Sequence, residues 1–161
     1  MTAQIPDTLI LDGKHHGLFC HLSLPINHPQ ISLRPQAEMD EEDRDCYSTA
    51  CWREYVATWE IRNQRLYLNE IRGTWRLTGD PIFADWITDE LIIPMGECLV
   101  YVHMGFGSVY EREKRITVEK GVVTQVEVIE NDPNVDPWQR GLEHLPGMER
   151  ISRLLRDLEG L

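Results

Sequence analysis

The chain has 161 residues, of which 42% are hydrophobic and 27% are charged. This length and composition suit one domain with a buried core and exclude global disorder. The formal charge is −11, from 27 acidic and 16 basic side chains. Such a surface repels phosphates and anionic lipids, which argues against nucleic-acid and membrane binding and favours a basic protein as partner. Solubility alone is the other interpretation of this charge.

The sequence predicts a cytoplasmic location. No apolar run reaches the roughly 20 residues that a helix needs to cross a bilayer, and no basic region precedes the short apolar patch near the N-terminus. Without a signal peptide, reduced thiols are expected, and no cysteine pair has the C-x-x-C spacing. The two cysteines expected in the core, because they lie in apolar runs, are Cys20 and Cys98.

Two strands are predicted near the N-terminus. Residues 8–11 are apolar or β-branched, and Asp12-Gly13 after them is a turn signal. Apolar residues then occupy every second position from Leu18 to Leu24, which predicts a second strand over 18–24. Residues 25–48 contain several prolines and the acidic run EMDEEDRD. They predict a long, flexible, solvated acidic loop.

The middle of the chain predicts a hairpin. Residues 55–62 alternate between the two faces of a strand, Asn63-Gln64 turns the chain, and residues 66–71 return. Residues 74–77 form a further strand after a break at Gly73. The turn at 79–81 then leads into the second half of the chain.

More strand pieces are predicted at residues 91–94, 99–104 and 108–110, with Gly105-Phe106-Gly107 joining the last two. Residues 115–119 and 122–130 form a second hairpin around Lys120-Gly121. The connections in this half are short, which favours antiparallel pairing.

The C-terminal part changes character. Apolar residues there follow helical spacing, with charged residues on the other side, and they predict an amphipathic helix over about 148–159: Met148, Ile151, Leu154, Leu155 and Leu158. This stripe would cover one end of the sheet or form a dimer seam. The predicted fold is a single, mainly β domain over 1–161, an antiparallel barrel or sandwich with one C-terminal α-helix.

Four sequence blocks resemble those of a family of small uncharacterised bacterial proteins. The blocks are WEI at 59–61, LYL at 66–68, IFADW at 82–86 and YVHMGFGSVYE at 101–111. The resemblance covers about residues 50–130 and implies a β-rich bacterial protein. It implies no activity and no catalytic residues.

A histidine and two tyrosines are the candidate catalytic residues. On a strand, Tyr101 and His103 share one face. If that face lines a cavity, His103 would act as a general acid or base near neutral pH. Tyr110, Asp85 or Glu60 would then orient its ring. In the alternative interpretation, the histidine is hydrogen-bonded within a packed sheet face.

Other residues are candidates for binding a ligand or partner. Trp86 beside Asp85 would anchor a carbohydrate or an arginine of a partner, unless it closes one end of a barrel together with Phe83. The glycines around Phe106 would let a ligand approach the backbone, or they would form a bulge. The full set of predicted binding residues is Asp85, Trp86, Phe106, Glu60 and Trp59.

No metal site and no cofactor are predicted. The ligand-type residues His15, His16, Cys20 and His21 lie close in sequence, but Cys20 and His21 are expected on opposite faces of a strand, and no second ligand pair has a recognised spacing. The chain has no H-E-x-x-H, P-loop or G-x-S-x-G motif.

Two functions follow from these observations. The first is a protein-binding module, in one version an immunity or inhibitor protein that uses its acidic surface against a basic toxin. The alternative is a small-ligand-binding β-barrel or small enzyme with a Tyr/His-lined cavity. The sequence favours the first, as a monomer or homodimer.

Overall fold

The computed structural model describes residues 2–132 and 134 and is mainly β. One short helix, α1, spans Glu41–Asp45 and follows a 3-10 turn at Gln36–Glu38. The helix predicted over 148–159 lies outside the described residues. The strands are β1 Asp7–Leu11, β2 Lys14–Leu18, β3 Ile31–Leu33, β4 Tyr55–Arg62, β5 Arg65–Gly73, β6 Trp75–Leu77, β7 Ile82–Phe83, β8 Asp89–Val100, β9 Val109–Glu119 and β10 Val122–Glu130.

One large sheet carries most of the strands, in the order β2-β1-β4-β5-β10-β9-β8, with β7 added beside β5. All of its neighbours are antiparallel except β1 and β4, which run parallel. The sheet is not closed as a barrel. Its two end strands approach through a 2.8 Å hydrogen bond from the backbone N of Phe19 to the carbonyl of Ile92. The predicted barrel is therefore wrong, whereas the mainly β class is confirmed.

Both predicted hairpins are confirmed. β4 turns into β5 at Asn63 and Gln64, whose φ angles are 50° and 63°. β9 turns into β10 at Lys120 and Gly121, with φ angles of 46° and 80°. Two successive positive φ angles match the twist of the flanking strands, which is why two-residue hairpins favour them.

Three predicted segments differ from the structure. β2 ends at Leu18, and the chain after it is not part of a strand. Burial still alternates through Cys20 and Leu22, since an extended chain can bury every second side chain without pairing in a ladder. Residues 25–48 contain β3, the 3-10 turn and α1 instead of one long loop. β8 ends at Val100, and Cys98 is exposed rather than in the core.

The core lies against the central strands. Trp59 of β4 is completely buried and is the largest fully buried side chain among the described residues. Around it pack aliphatic residues from both halves of the chain, including Leu9, Leu18, Leu66, Leu68, Ile71, Leu91, Ile93, Ile116 and Val118.

Candidate functional site

The acidic run at residues 38–45 contains α1, and side chains of this run fix the start of the helix. Asp40 caps α1 by accepting a 2.9 Å hydrogen bond from the backbone N of Asp43. The side chain of Asp43 in turn accepts from the backbone N of Asp40 at 3.2 Å, which completes a capping box. The hydrogen bond from the backbone N of Asp43 holds the pKa of the Asp40 carboxyl below its ordinary value.

Asp43 also fixes α1 to the sheet. Its carboxylate is 1% exposed and accepts a 3.0 Å hydrogen bond from the backbone N of Gly73, at the end of β5. The Arg34 guanidinium lies 3.5 Å from the same carboxylate and donates to the carbonyls of Ile71 and Gly73. A buried carboxylate is stable only when it is paired in this way. The helix is therefore held rigidly on the end of β5.

Gly73 lets the chain close tightly at this point. Its φ angle is +102°, and a Cβ there would lie 2.4 Å from the Glu54 carbonyl oxygen and 3.0 Å from the Cβ of Cys46. Only glycine fits such a close approach. The end of α1 and the start of β4 thus both pack directly on the backbone of β5.

The exposed acidic side chains of this segment are unevenly neutralised. Arg72 of β5 lies 3.0 Å from Asp40 and 3.8 Å from Glu42. Glu38 pairs with Arg76 of β6. Glu41 and Asp45 are exposed and have no ion pair within the described part of the chain. Two exposed carboxylates that form no ion pair with a described residue therefore lie at the two ends of α1, with Arg44 between them.

Tyr47 lies in the turn that follows α1, two residues after Asp45. Its side chain is 47% exposed, and its hydroxyl accepts a 3.1 Å hydrogen bond from the Thr74 hydroxyl. A depression of about 380 Å³ lies beside it, lined by Gln36, Met39, Arg44 and Tyr47. We call Glu41, Asp45 and Tyr47 the α1 patch. It combines fixed negative charge with an accessible aromatic ring.

The connection from α1 to β4 is tied to the core by a second buried carboxylate. Asp7 is 2% exposed and accepts from Arg53 at 2.6 Å, from the backbone N of Ala57 at 3.0 Å and from Nε1 of Trp59 at 3.1 Å. Burial, reinforced by the Arg53 guanidinium, lowers the pKa of nearby His21. Both ends of the segment that carries the α1 patch are therefore anchored.

The cysteines on this connection do not supply a reactive thiol. Cys46 and Cys51 are 4% and 0% exposed. Burial raises the pKa of the Cys46 thiol to about 11 and raises that of Cys51 as well. Since the thiolate is the nucleophile, these groups are poorly suited to covalent chemistry at neutral pH.

Two of the three predicted catalytic candidates, Tyr101 and His103, lie on the loop after β8 rather than on a strand, whereas Tyr110 lies on β9. Tyr101 is 67% exposed, and its hydroxyl lies 2.7 Å from Nδ1 of His103, which is also exposed. Tyr110 is half-buried and packs edge-on against Phe19 at 5.6 Å. Within the described residues, no hydrogen bond or ring contact joins Tyr110 to the Tyr101–His103 pair. The structure thus brings two of the three candidates together, on the surface.

Two of the predicted binding residues belong to the core. Trp59 is completely buried and bonds to Asp7, so its ring has no surface to offer a partner. Phe106 is 9% exposed and stacks on Phe19 with ring centroids 5.4 Å apart. Their expected role in direct binding is corrected to a role in packing, because aromatic rings bury large apolar areas.

The other three predicted binding residues are accessible to different degrees. Trp86 is half-buried, and its Nε1 donates a 2.8 Å hydrogen bond to the Ser23 carbonyl. Glu60 is half-buried and accepts from Asn69 at 2.6 Å. Asp85 alone is fully on the surface. They do not form one patch with the buried pair Trp59 and Phe106.

The described residues contain no group of three or more histidine, cysteine or acidic side chains placed to hold a metal ion. None of the helices described is long and apolar enough to pass through a membrane.

Sequence reasoning missed Asp43 and Asp7 because a lone aspartate is usually solvated. Signals for both were present. Asp40 and Asp43 have the spacing of a capping box. Asp7 shares the inward period of Leu9 on β1.

A comparison of the chain with protein-family models, with curated proteins and with solved structures finds no match. The site is therefore interpreted from its own geometry and charge.

Proposed function

We propose that this protein is a protein-binding module that recognises a basic protein through the α1 patch. The observation that carries the proposal is the buried anchor of α1. Asp43 is paired inside the molecule with Gly73 and Arg34, while Glu41 and Asp45 are exposed and form no ion pair with a described residue. The acidic segment is thus a fixed part of the folded protein rather than a solvated loop.

Two physical properties suit this surface to recognition. Because α1 is already fixed, binding does not have to order it, and less of the interaction energy is lost. Unpaired negative charge speeds the encounter with a basic partner and selects against acidic ones. Tyr47 adds an exposed aromatic ring of the kind that dominates binding energy at interfaces.

One version of this function is an immunity or inhibitor protein that neutralises a basic toxin. The net charge of −11 supports a basic target. The four cysteines are all unpaired, which suits the predicted cytoplasmic location, where thiols stay reduced.

Native mass spectrometry of the protein purified gently from its host at low salt tests the proposal. We expect a basic protein bound in fixed stoichiometry. The variant Glu41→Lys/Asp45→Lys should lose most of that complex, because two attractive contacts become repulsive. The matched control, Asp80→Lys/Glu97→Lys, changes the net charge equally at two exposed sites elsewhere and should keep it.

The loss of the complex must be specific to substitutions in the α1 patch. If both double variants lose the complex equally, net charge and not the α1 patch governs binding, and the proposal fails. It fails as well if no basic protein is bound. His103→Ala should retain the complex, since the Tyr101–His103 pair is not part of this surface.

A second candidate function rests on one observation. The 2.7 Å contact between the Tyr101 hydroxyl and Nδ1 of His103 fixes the ring of a histidine that solvent and small molecules can reach. Such a pair would suit a small-ligand site or a small enzyme. A bound small-molecule mass that His103→Ala removes would favour this function over the first.

A further inference from the structure

The hairpin of β4 and β5 places two arginines directly opposite each other. Arg62 is the last residue of β4, Arg65 is the first of β5, and the two are partners in the register of the pair. Both lie on the sheet face away from the core, since Leu66, next to Arg65, is completely buried and side chains alternate along a strand. Like charges directly opposite one another destabilise a strand pair, so this arrangement is unfavourable unless something offsets it.

Two aromatic rings support these arginines. The Arg62 guanidinium lies over the ring of Tyr67, 4.4 Å from its centroid, and the Arg65 guanidinium lies 5.4 Å from the centroid of Phe83. Tyr67 and Phe83 are partners in the pairing of β5 with β7, and their ring centroids are 5.9 Å apart. Stacking of this kind holds a guanidinium by its flat face. We call Arg62, Arg65, Tyr67 and Phe83 the arginine patch.

The N–H groups at the edges of both guanidiniums remain available. Arg65 is exposed and forms no ion pair with a described residue. The Glu60 carboxylate lies 3.7 Å from Nε of Arg62, beyond hydrogen-bond distance, and instead accepts a 2.6 Å hydrogen bond from Asn69. The Arg62 side chain is 48% exposed. The rings therefore hold both guanidiniums while their donors stay accessible to a ligand.

We propose that the arginine patch binds an acidic peptide segment of a second partner protein, different from the basic one. The planar fork of an arginine matches a carboxylate with two parallel hydrogen bonds, and a carboxylate between Arg62 and Arg65 would offset their repulsion. Arginine and aromatic residues are enriched among those that dominate binding energy at protein interfaces. Tyr67 and Phe83 are half-buried, so part of each ring is accessible beside the charged groups.

Charge favours a peptide over a nucleic acid as the ligand. The chain carries −11 overall, so a strand with a phosphate on every nucleotide would be repelled wherever it extended beyond the two arginines. A peptide needs only a few carboxylates at the arginine patch itself. Asp85, two residues after Phe83, forms no ion pair with either arginine, so it does not already neutralise them.

The arginine patch is separate from the α1 patch. α1 is fixed to Gly73, at the end of β5, whereas Arg65 begins that strand. The rise of a strand places these two ends of β5 roughly 26 Å apart. The two surfaces also offer charges of opposite sign, so they suit different partners.

NMR titration of the full chain with a capped hexaglutamate peptide at low salt tests this proposal. We expect saturable shifts of the Nε–Hε signals of Arg62 and Arg65, with half-saturation below about 1 mM. Arg62→Gln/Arg65→Gln should weaken binding at least about tenfold, because it removes both charged groups of the arginine patch.

Arg72→Gln/Arg76→Gln is the matched control. It removes the same net charge from two arginines that already pair with carboxylates, among them Asp40 and Glu38. It should weaken binding by no more than about twofold, because only the screened long-range attraction changes. Unchanged amide signals away from the substituted residues show that each variant is folded.

Four results would overturn the proposal. The first is no saturable shift with hexaglutamate, and the second is equal weakening in both double variants, which would assign the effect to net charge. Tighter binding of decathymidylate than of hexaglutamate would make the arginine patch a site for single-stranded nucleic acid. Equal binding of inorganic phosphate would show a site for simple anions only. All four leave the proposed role of the α1 patch untouched, because Arg62→Gln/Arg65→Gln does not alter that surface.

Discussion

At the scale of single residues, two buried aspartates hold the surface described here. Asp43 fixes α1 to β5, and Asp7 fixes the start of β4 through Arg53, Ala57 and Trp59. A carboxylate accepts several hydrogen bonds at once, so one side chain can join three separate parts of the chain.

Asp7→Asn should lower the free energy of unfolding by about 3–5 kcal/mol, because it leaves the Arg53 guanidinium largely buried without its counter-charge. The amide nitrogen of asparagine also cannot accept the bonds that one carboxylate oxygen now receives. Urea unfolding followed by tryptophan fluorescence measures the change. The control Asp85→Asn, at an exposed site, should change stability by less than about 0.5 kcal/mol. A loss for Asp7→Asn as small as that of the control would contradict this account.

At the scale of elements, the junction of α1, β4 and β5 depends on Gly73. Gly73→Ala should lower the free energy of unfolding by about 2–5 kcal/mol, from backbone strain at positive φ together with the clash on Glu54 and Cys46. Gly13→Ala is the matched control. Its φ angle is also positive, but its Cβ would meet nothing within 4 Å, so only about 1 kcal/mol of strain is expected.

The rate of tryptic cleavage shows which part of the structure the substitution of Gly73 disturbs. Trypsin should cut after the exposed Arg44 faster in Gly73→Ala than in Gly13→Ala, because only the first variant disturbs the anchor of α1. Equal losses of stability and equal cleavage rates in the two variants would show that the junction tolerates the extra methyl group.

Local elements could be predicted from the sequence, and distant pairings could not. The hairpins at Asn63-Gln64 and Lys120-Gly121 combine alternating strands with a two-residue turn, so the signal is entirely local. The parallel pairing of β1 with β4 joins strands far apart in sequence and leaves no local trace. After Leu18, where β2 ends, the chain to residue 24 still shows strand-like alternation because it buries Cys20 and Leu22, although this part belongs to no strand.

The candidate site was harder to predict for a related reason. The acidic run around α1 has the composition of a solvated loop, and its structure depends on a single carboxylate turned inward. Tyr101 and His103 were predicted to share a strand face, but β8 ends one residue earlier, at Val100. Their contact depends on the conformation of the loop instead, and the alternation of side chains along a strand does not predict the conformation of a loop.

At the scale of the whole molecule, the excess of negative charge is spread unevenly over the surface. Arginines of β5 and β6 neutralise Asp40, Glu42 and Glu38. Glu41 and Asp45 are exposed and form no ion pair with a described residue. In the function that we propose, the long-range field would attract a basic protein to the molecule, and the exposed carboxylates of the α1 patch would decide where it binds.

The most direct test of this account is the association rate constant of the co-purified basic protein, measured by stopped flow against ionic strength. For the wild-type chain, the rate should fall at least about tenfold between about 10 and 150 mM salt, because screening removes the attraction. Glu41→Lys/Asp45→Lys should be slower at low salt and much less salt-dependent, while Asp80→Lys/Glu97→Lys should follow the wild type more closely. The same rates and the same salt dependence in both double variants would contradict recognition through the α1 patch.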